Sequence, residues 1–129
     1  MVPGVEAEAC SGSLGRGLSI GLGTALAARM SGRDSKVYVV MGDGEINEGS
    51  VWEAAACADK HRLADPKAVI DYNKIQSAGS VFEIQNMEPL ADKWRSFGFR
   101  VFECNGHSVA ELRRVFQATA AAPLDRPRV

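Results

Sequence analysis

The sequence predicts an α/β protein built as a doubly wound parallel sheet with helices on both faces. Segments whose apolar residues recur at helical spacing alternate with short β-branched runs along the chain, the order expected of strand-helix-strand winding. Polar loops carrying glycine or asparagine follow the first two runs, as they do where strands feed helices. At 129 residues, 46% hydrophobic and 24% charged, the chain has the size and composition of one ordered globular domain.

The first helix follows the Gly/Ser-rich turn SGSLGRG. Leu18, Leu22, Ala25 and Leu26, with the stem of Arg29, share one of its faces, and SGRD at 31–34 closes it. Gly17, Gly21 and Gly23 each cost a helix roughly 1 kcal/mol relative to alanine, so they are expected to serve close packing. KVYVVM at 36–41 reads as a strand buried on both faces, because it is β-branched and does not alternate. From about Glu48 to His61 a second helix gathers Val51, Trp52, Ala55 and Ala58 on one face, until LADP breaks it. KAVIDY at 67–72 is the next strand, and EPLADKWRSF at 88–97 a third helix, with Pro89 suited to its first turn. FRVFEC at 99–104 reads as a third strand. The turn NGHS then leads into VAELRRVFQATA, whose Val109, Leu112, Val115 and Phe116 fall on one helical face.

Composition excludes several functions. The net charge is −1 with acids and bases interspersed, which leaves no basic face for nucleic acid and no polybasic stripe for a membrane surface. No apolar run is long enough to span a bilayer, and MVPGVEAEAC lacks the basic and apolar regions of a secretion signal. Cys10, Cys57 and Cys104 are odd in number and far apart, with no CxxC pair. They argue against a disulfide framework or a zinc site and point to a reducing cytoplasm. His61 and His107 read as a solvated helix end and a turn residue, and no Cys/His dyad emerges.

In a doubly wound sheet, ligands collect beyond the carboxyl ends of the strands. Two polar loops stand there: Gly42-Asp43-Gly44-Glu45 and Asp71-Tyr72-Asn73-Lys74-Ile75-Gln76. Asp43 and Asn73 are thirty positions apart, one strand-helix-strand unit, so they meet if their strands are neighbours. Magnesium takes six oxygens, commonly one or two of them from carboxylates and the rest from amide, main-chain, phosphate or water oxygens. One Asp, one Asn and a carbonyl suit it. Gly42 and Gly44 leave Asp43 without side-chain shelter, and the bare Gly44 lets a phosphate reach the N–H groups that open the next helix. Two readings compete: Asp43 and Glu45 as helix-cap acids, or Asp43 with Asn73 as a cation and phosphate site. Other phosphate motifs fail. The third glycine of a dinucleotide fingerprint, Gly49, stands five positions after Gly44 rather than three, GLGTALA has no strand before it, and a Walker A loop is absent.

These segments resemble a known family. GDGEINEGSVWEAA followed by AVIDYNKIQSAG is similar to the thiamine diphosphate signature of transketolases, which runs from GDG through a strand-helix-strand unit to an asparagine. GSLGRGLSIGLGTALAAR ahead of it and EPLADKWRSFGFRVFECNGH behind it resemble the same family's N-terminal domain, so the likeness extends from about Pro3 to Val129. The EG-x-x-WEA and DYN wording is closer to transketolases than to deoxyxylulose-phosphate synthases or 2-oxo-acid dehydrogenase components.

Position by position, the resemblance implies that Asp43 and Asn73 ligate magnesium, or another divalent cation, through their side chains and Ile75 through its main-chain oxygen. It implies that Gly44 and Asn73 contact the diphosphate, and that Gly12, Ser13 and Leu14 line the aminopyrimidine and thiazolium of the cofactor. Glu48 resembles a family glutamate at the subunit interface, whereas Arg16 stands where the family usually has Gln or His. The implied reaction moves a two-carbon ketol unit from a ketose phosphate to an aldose phosphate, as in the pentose phosphate pathway, with thiamine diphosphate carrying the electronics. The family's activating glutamate sits on a pyrimidine-binding domain, usually across a dimer interface. That glutamate and the family's upstream histidines have no counterpart here, so no catalytic residue is assigned. The resemblance thus implies a single partial diphosphate-binding domain over 1–129, in a homo- or hetero-oligomer, active only with a partner chain or further segments. A non-catalytic binding module and a fragment of another thiamine enzyme are the alternatives.

Overall fold

In the computed structural model, which describes residues 7, 9 and 11–129, β1 (Tyr38–Gly42) and β2 (Lys67–Asp71) run parallel. Their register pairs Tyr38 with Lys67 and Gly42 with Asp71. A parallel pair needs a crossover, which α2 (Gly49–Lys60) supplies after a single 3-10 turn, Glu45–Asn47. Cys10 lies outside the described residues.

α1 (Gly17–Met30) and α2 pack on one face of this pair. Val39 and Met41 join Leu18, Leu22, Ile46, Val51 and Ala55 in the core there. Gly21 makes that approach possible, because a methyl in its place would collide with Val39 Cγ2. The close-packing expectation holds for Gly21 alone. A Cβ on Gly17 would reach only ordinary contact, 3.5 Å from Val39 Cγ1, and nothing lies within 4 Å of one on Gly23.

The opposite face is covered more thinly. α5 (Val109–Ala121) reaches it through Phe116, whose ring meets Tyr38 edge-on at 6.0 Å. Val40 stays 73% exposed, so the expectation that 36–41 is buried on both faces is corrected: burial alternates along β1. The cause is that α5 leaves Val40 uncovered, and its own Val109 is also exposed. Helices nonetheless lie on both faces, and the α/β class stands.

After β2 the chain forms a short hairpin, β3 (Ile75–Gln76) with β4 (Gly79–Ser80), and a one-turn α3 (Val81–Ile84) capped by Ser80 Oγ. None of the three carries a periodic pattern in the sequence. α4 (Leu90–Ser96) follows, and its buried Trp94 packs against Trp52 of α2 and against Phe99, each at 4.9 Å between ring centroids. The third strand expected at 99–104 is not a ladder strand. Arg100 makes one parallel bridge to Arg128, which bridges Lys67 in turn, so the C-terminal residues lie between β2 and residues 100–102. Arg128 holds them there: it is 1% exposed, and its guanidinium donates to the carbonyls of Ala64 (3.3 Å), Ala122 (2.9 Å) and Pro123 (3.2 Å). Among the described residues no helix is long and apolar enough to cross a membrane.

Candidate functional site

Gly42 and Asp71 end their strands side by side, so the two polar loops leave the sheet as neighbours. Asp43 N donates to Asp71 O at 3.2 Å, and Lys74 N donates to Asp43 Oδ2 at 2.6 Å, stitching one loop to the other. The expectation of an unsheltered carboxylate is corrected here. Asp43 is 3% exposed, because the second loop, not its glycine neighbours, covers it. A carboxylate can accept about four hydrogen bonds, and among the described residues the Lys74 N–H supplies one.

Asn73 is exposed; its Oδ1 accepts from Ile75 N at 2.9 Å and its Nδ2 donates to Asp71 Oδ2 at 3.3 Å. Lys74 sits in the left-handed region, φ 67, and that reversal turns its N–H toward Asp43. Ile75 is 70% exposed. Tyr72 braces the loop from the far side, its OH donating to Glu88 Oε1 at 2.6 Å, while Glu88 Oε2 accepts from Leu90 N at 2.8 Å. Desolvation and the Glu88 carboxylate push the Tyr72 phenol up to about 12. The Tyr72 hydroxyl and the Leu90 N–H hold Glu88 below the usual carboxylate range.

The turn at 12–14 belongs to the same neighbourhood. Gly12, Ser13 and Leu14 are exposed, and Ser13 N donates to Ser11 Oγ at 3.1 Å. Gly15 behind them is buried, with φ 83; its N–H donates to Glu45 Oε1 at 3.2 Å and its carbonyl accepts from Ser50 Oγ at 2.9 Å. Glu48 is exposed beside this contact, and Arg16 is exposed at the α1 N-cap without a side-chain capping bond.

Gln76 lies over Gly44, where a Cβ would stand 3.2 Å from Gln76 Cγ. Its Oε1 accepts from Asn47 Nδ2 at 3.1 Å, leaving Gln76 Nε2 and Asn47 Oδ1 buried without partners. An orphaned donor and acceptor thus stand buried beside Gly44. Sequence reasoning misses this pair, although the two residues stand on the same two loops as Asp43 and Asn73. Asp43, the Asn73 amide oxygen and the Ile75 carbonyl are hard oxygen donors of the kind magnesium selects, and as a donor set they fit that cation. Among the described residues, no three His, Cys, Asp or Glu side chains cluster as a metal cage, so a cation here would draw on one carboxylate.

The parallel sheet, with adjacent acid and asparagine loops at its strand ends, places the chain in the class of α/β thiamine diphosphate-binding folds. All of residues 1–129 match the family described as "Transketolase, thiamine diphosphate binding domain". The chain belongs to the transketolase family. Over 117 residues, 91% of the chain, it is 43% identical to an apulose-4-phosphate transketolase subunit of Phocaeicola vulgatus. Over 108 residues, 84% of the chain, it is 44% identical to the 6-deoxy-6-sulfo-D-fructose transketolase subunit SqwG of a Clostridium species. These matches take in 41% and 39% of those proteins, so the chain spans about two fifths of their length. The crystal structure of transketolase from Campylobacter jejuni superposes with a TM-score of 0.84 at 28% identity, covering 92% of this chain and 20% of that one.

Proposed function

We propose that this chain holds the diphosphate and cation end of a transketolase cofactor site, and that with a partner it transfers a two-carbon ketol unit from a ketose phosphate to an aldose phosphate. The observation that carries the reading is the 2.6 Å bond from Lys74 N to Asp43 Oδ2, which joins the two loops at the ends of neighbouring parallel strands. Asp43, Asn73 and the Ile75 carbonyl would hold magnesium, Gly44 and Asn73 would meet the diphosphate, and Gly12, Ser13 and Leu14 would face the aminopyrimidine and thiazolium. Bound thiamine diphosphate supplies the electron sink for breaking and making the ketol carbon bond. The chain's own residues bind and orient. Asp43 brings negative charge to the cation, and the exposed apolar Leu14 offers surface to a ring.

A pyrimidine-binding domain on another chain is part of this reading. Two relatives are named as subunits, and the chain covers about two fifths of each. Their names point to different sugars, so sugar phosphates are proposed only as a class. Free Cys57 and Cys104 suit a reducing cytoplasm.

Calorimetric titration with thiamine diphosphate and magnesium, with and without a candidate partner chain, tests the reading. Asp43→Ala should weaken magnesium-dependent binding by more than about 100-fold, the upper end of what losing a supporting contact to a metal site costs. Unchanged binding would remove Asp43 from the site. Decarboxylation of pyruvate by the reconstituted protein, in place of ketol transfer, would assign it to another thiamine enzyme.

A further inference from the structure

Glu45 and Ser50 have no part in the cation and diphosphate contacts above, yet both act on one residue of a distant turn. Gly15 is buried, and both of its backbone polar groups are satisfied by side chains from the segment after β1: Glu45 Oε1 at 3.2 Å and Ser50 Oγ at 2.9 Å. The approach is tight, since a Cβ on Gly15 would stand 2.5 Å from Glu48 Cβ and 2.8 Å from Ser50 Oγ. With φ 83, the position suits glycine on backbone grounds as well.

Glu45 also stands beside the start of α1. Its Oε1 would lie 3.6 Å from a Cβ on Gly17, the first residue of the fourteen-residue α1. That helix has no acidic residue in its first turn and no side-chain cap. Negative charge is favoured at a helix N-terminus, where unpaired N–H groups and the macrodipole point outward. Glu45 therefore brings to α1, from another element, the anion that its own sequence lacks.

We propose that Glu45 and Ser50 are positioning residues that lock the 12–14 turn to the Asp43 loop, so that the ring-facing and diphosphate-facing parts of the pocket move as one body. The assignment rests on the cofactor reading above. It separates two ligands that share a diphosphate: inorganic pyrophosphate needs only the Asp43 side, whereas thiamine diphosphate needs both sides.

The test uses the full chain with magnesium, and its variants Glu45→Ala, Glu45→Gln and Ser50→Ala. In Glu45→Ala the Gly15 amide should exchange with solvent about tenfold faster, and thiamine diphosphate should bind about tenfold more weakly, the loss of roughly one net hydrogen bond. Pyrophosphate affinity should stay within about twofold by the same scale. Glu45→Gln, which keeps an acceptor oxygen, should restore most of the Gly15 protection, and Ser50→Ala should give a partial loss in the same direction. Unchanged Gly15 exchange in Glu45→Ala overturns the proposal, as does an equal fall in affinity for both ligands, which would mean general loosening. A wild-type chain that binds neither ligand, both alone and with a candidate partner chain, sinks the cofactor reading instead, and the Gly15 exchange rates still decide whether the lock exists.

Discussion

Tyr72 and Glu88 form a pair whose two protonation states pull in opposite directions with pH. The phenol is raised to about 12, so its neutral form is favoured in the fold; the stability this gives is present below the ordinary value of 10.0 and is lost as pH rises through about 12. Glu88 is lowered, so its contribution is present above its ordinary value of 4.5 and is lost as pH falls through the folded value. Removing the carboxylate with Glu88→Ala takes away the hydrogen bond and the charge but not the desolvation. The Tyr72 titration should then move part of the way from about 12 toward 10.0. Phenolate absorbance in a Tyr38→Phe background reads it, since the chain has only these two tyrosines. An unmoved titration would mean that desolvation, with the Asp43 charge, holds the phenol without Glu88. At this scale the sequence shows residue types better than surroundings. Asp43 and Asn73 stand out because acid, glycine and asparagine mark the ends of two β-branched runs. The burial of Asp43 is not legible, because its cover is an N–H thirty-one residues away, turned inward by the positive φ of Lys74.

Within α1, two glycines two positions apart respond to opposite forces. Gly23 is exposed with nothing within 4 Å of a Cβ, so Gly23→Ala should stabilise the chain by about 0.5–1 kcal/mol through reduced freedom of the unfolded state. At Gly21 the same change drives a methyl into Val39, and overpacking of that kind costs about 1–3 kcal/mol. Denaturant midpoints of the two variants should therefore move in opposite directions, and a rise in both would show that α1 stands farther from β1 than the contact with Val39 requires. Helical spacing locates α1, α2, α4 and α5, because each buries at least part of a face. The strand expected at 99–104 goes differently for a physical reason. A strand is defined by its partner, and here the partner is the Arg128 segment, whose place depends on a buried guanidinium reaching three carbonyls. No periodicity encodes such a contact.

Across the whole molecule, the outer edge of β2 is closed at one end and open at the other. In a parallel strand, alternate residues direct their backbone groups to opposite sides. Lys67 N donates to Val37 O on the β1 side, while Ala68 N donates to Arg128 O at 3.0 Å on the outer side. Ile70 shares the orientation of Ala68 and faces a groove of about 800 Å³ between β2 and residues 101–104. Leu90 and Trp94 line one flank of the groove, and Leu112, Val115 and Phe116 line another. An open edge beside apolar walls is the kind of surface that takes a further strand or associates. The structure therefore predicts unequal hydrogen exchange along one strand edge. The Ala68 amide should be protected roughly 100-fold better than Ile70, because opening it requires displacing the anchored Arg128 segment whereas Ile70 already faces the groove. Equal protection of the two amides in the isolated chain would mean that the groove is filled in solution, for instance by a second copy. Exchange measured across a concentration series would then identify that copy by the loss of Ile70 protection on dilution.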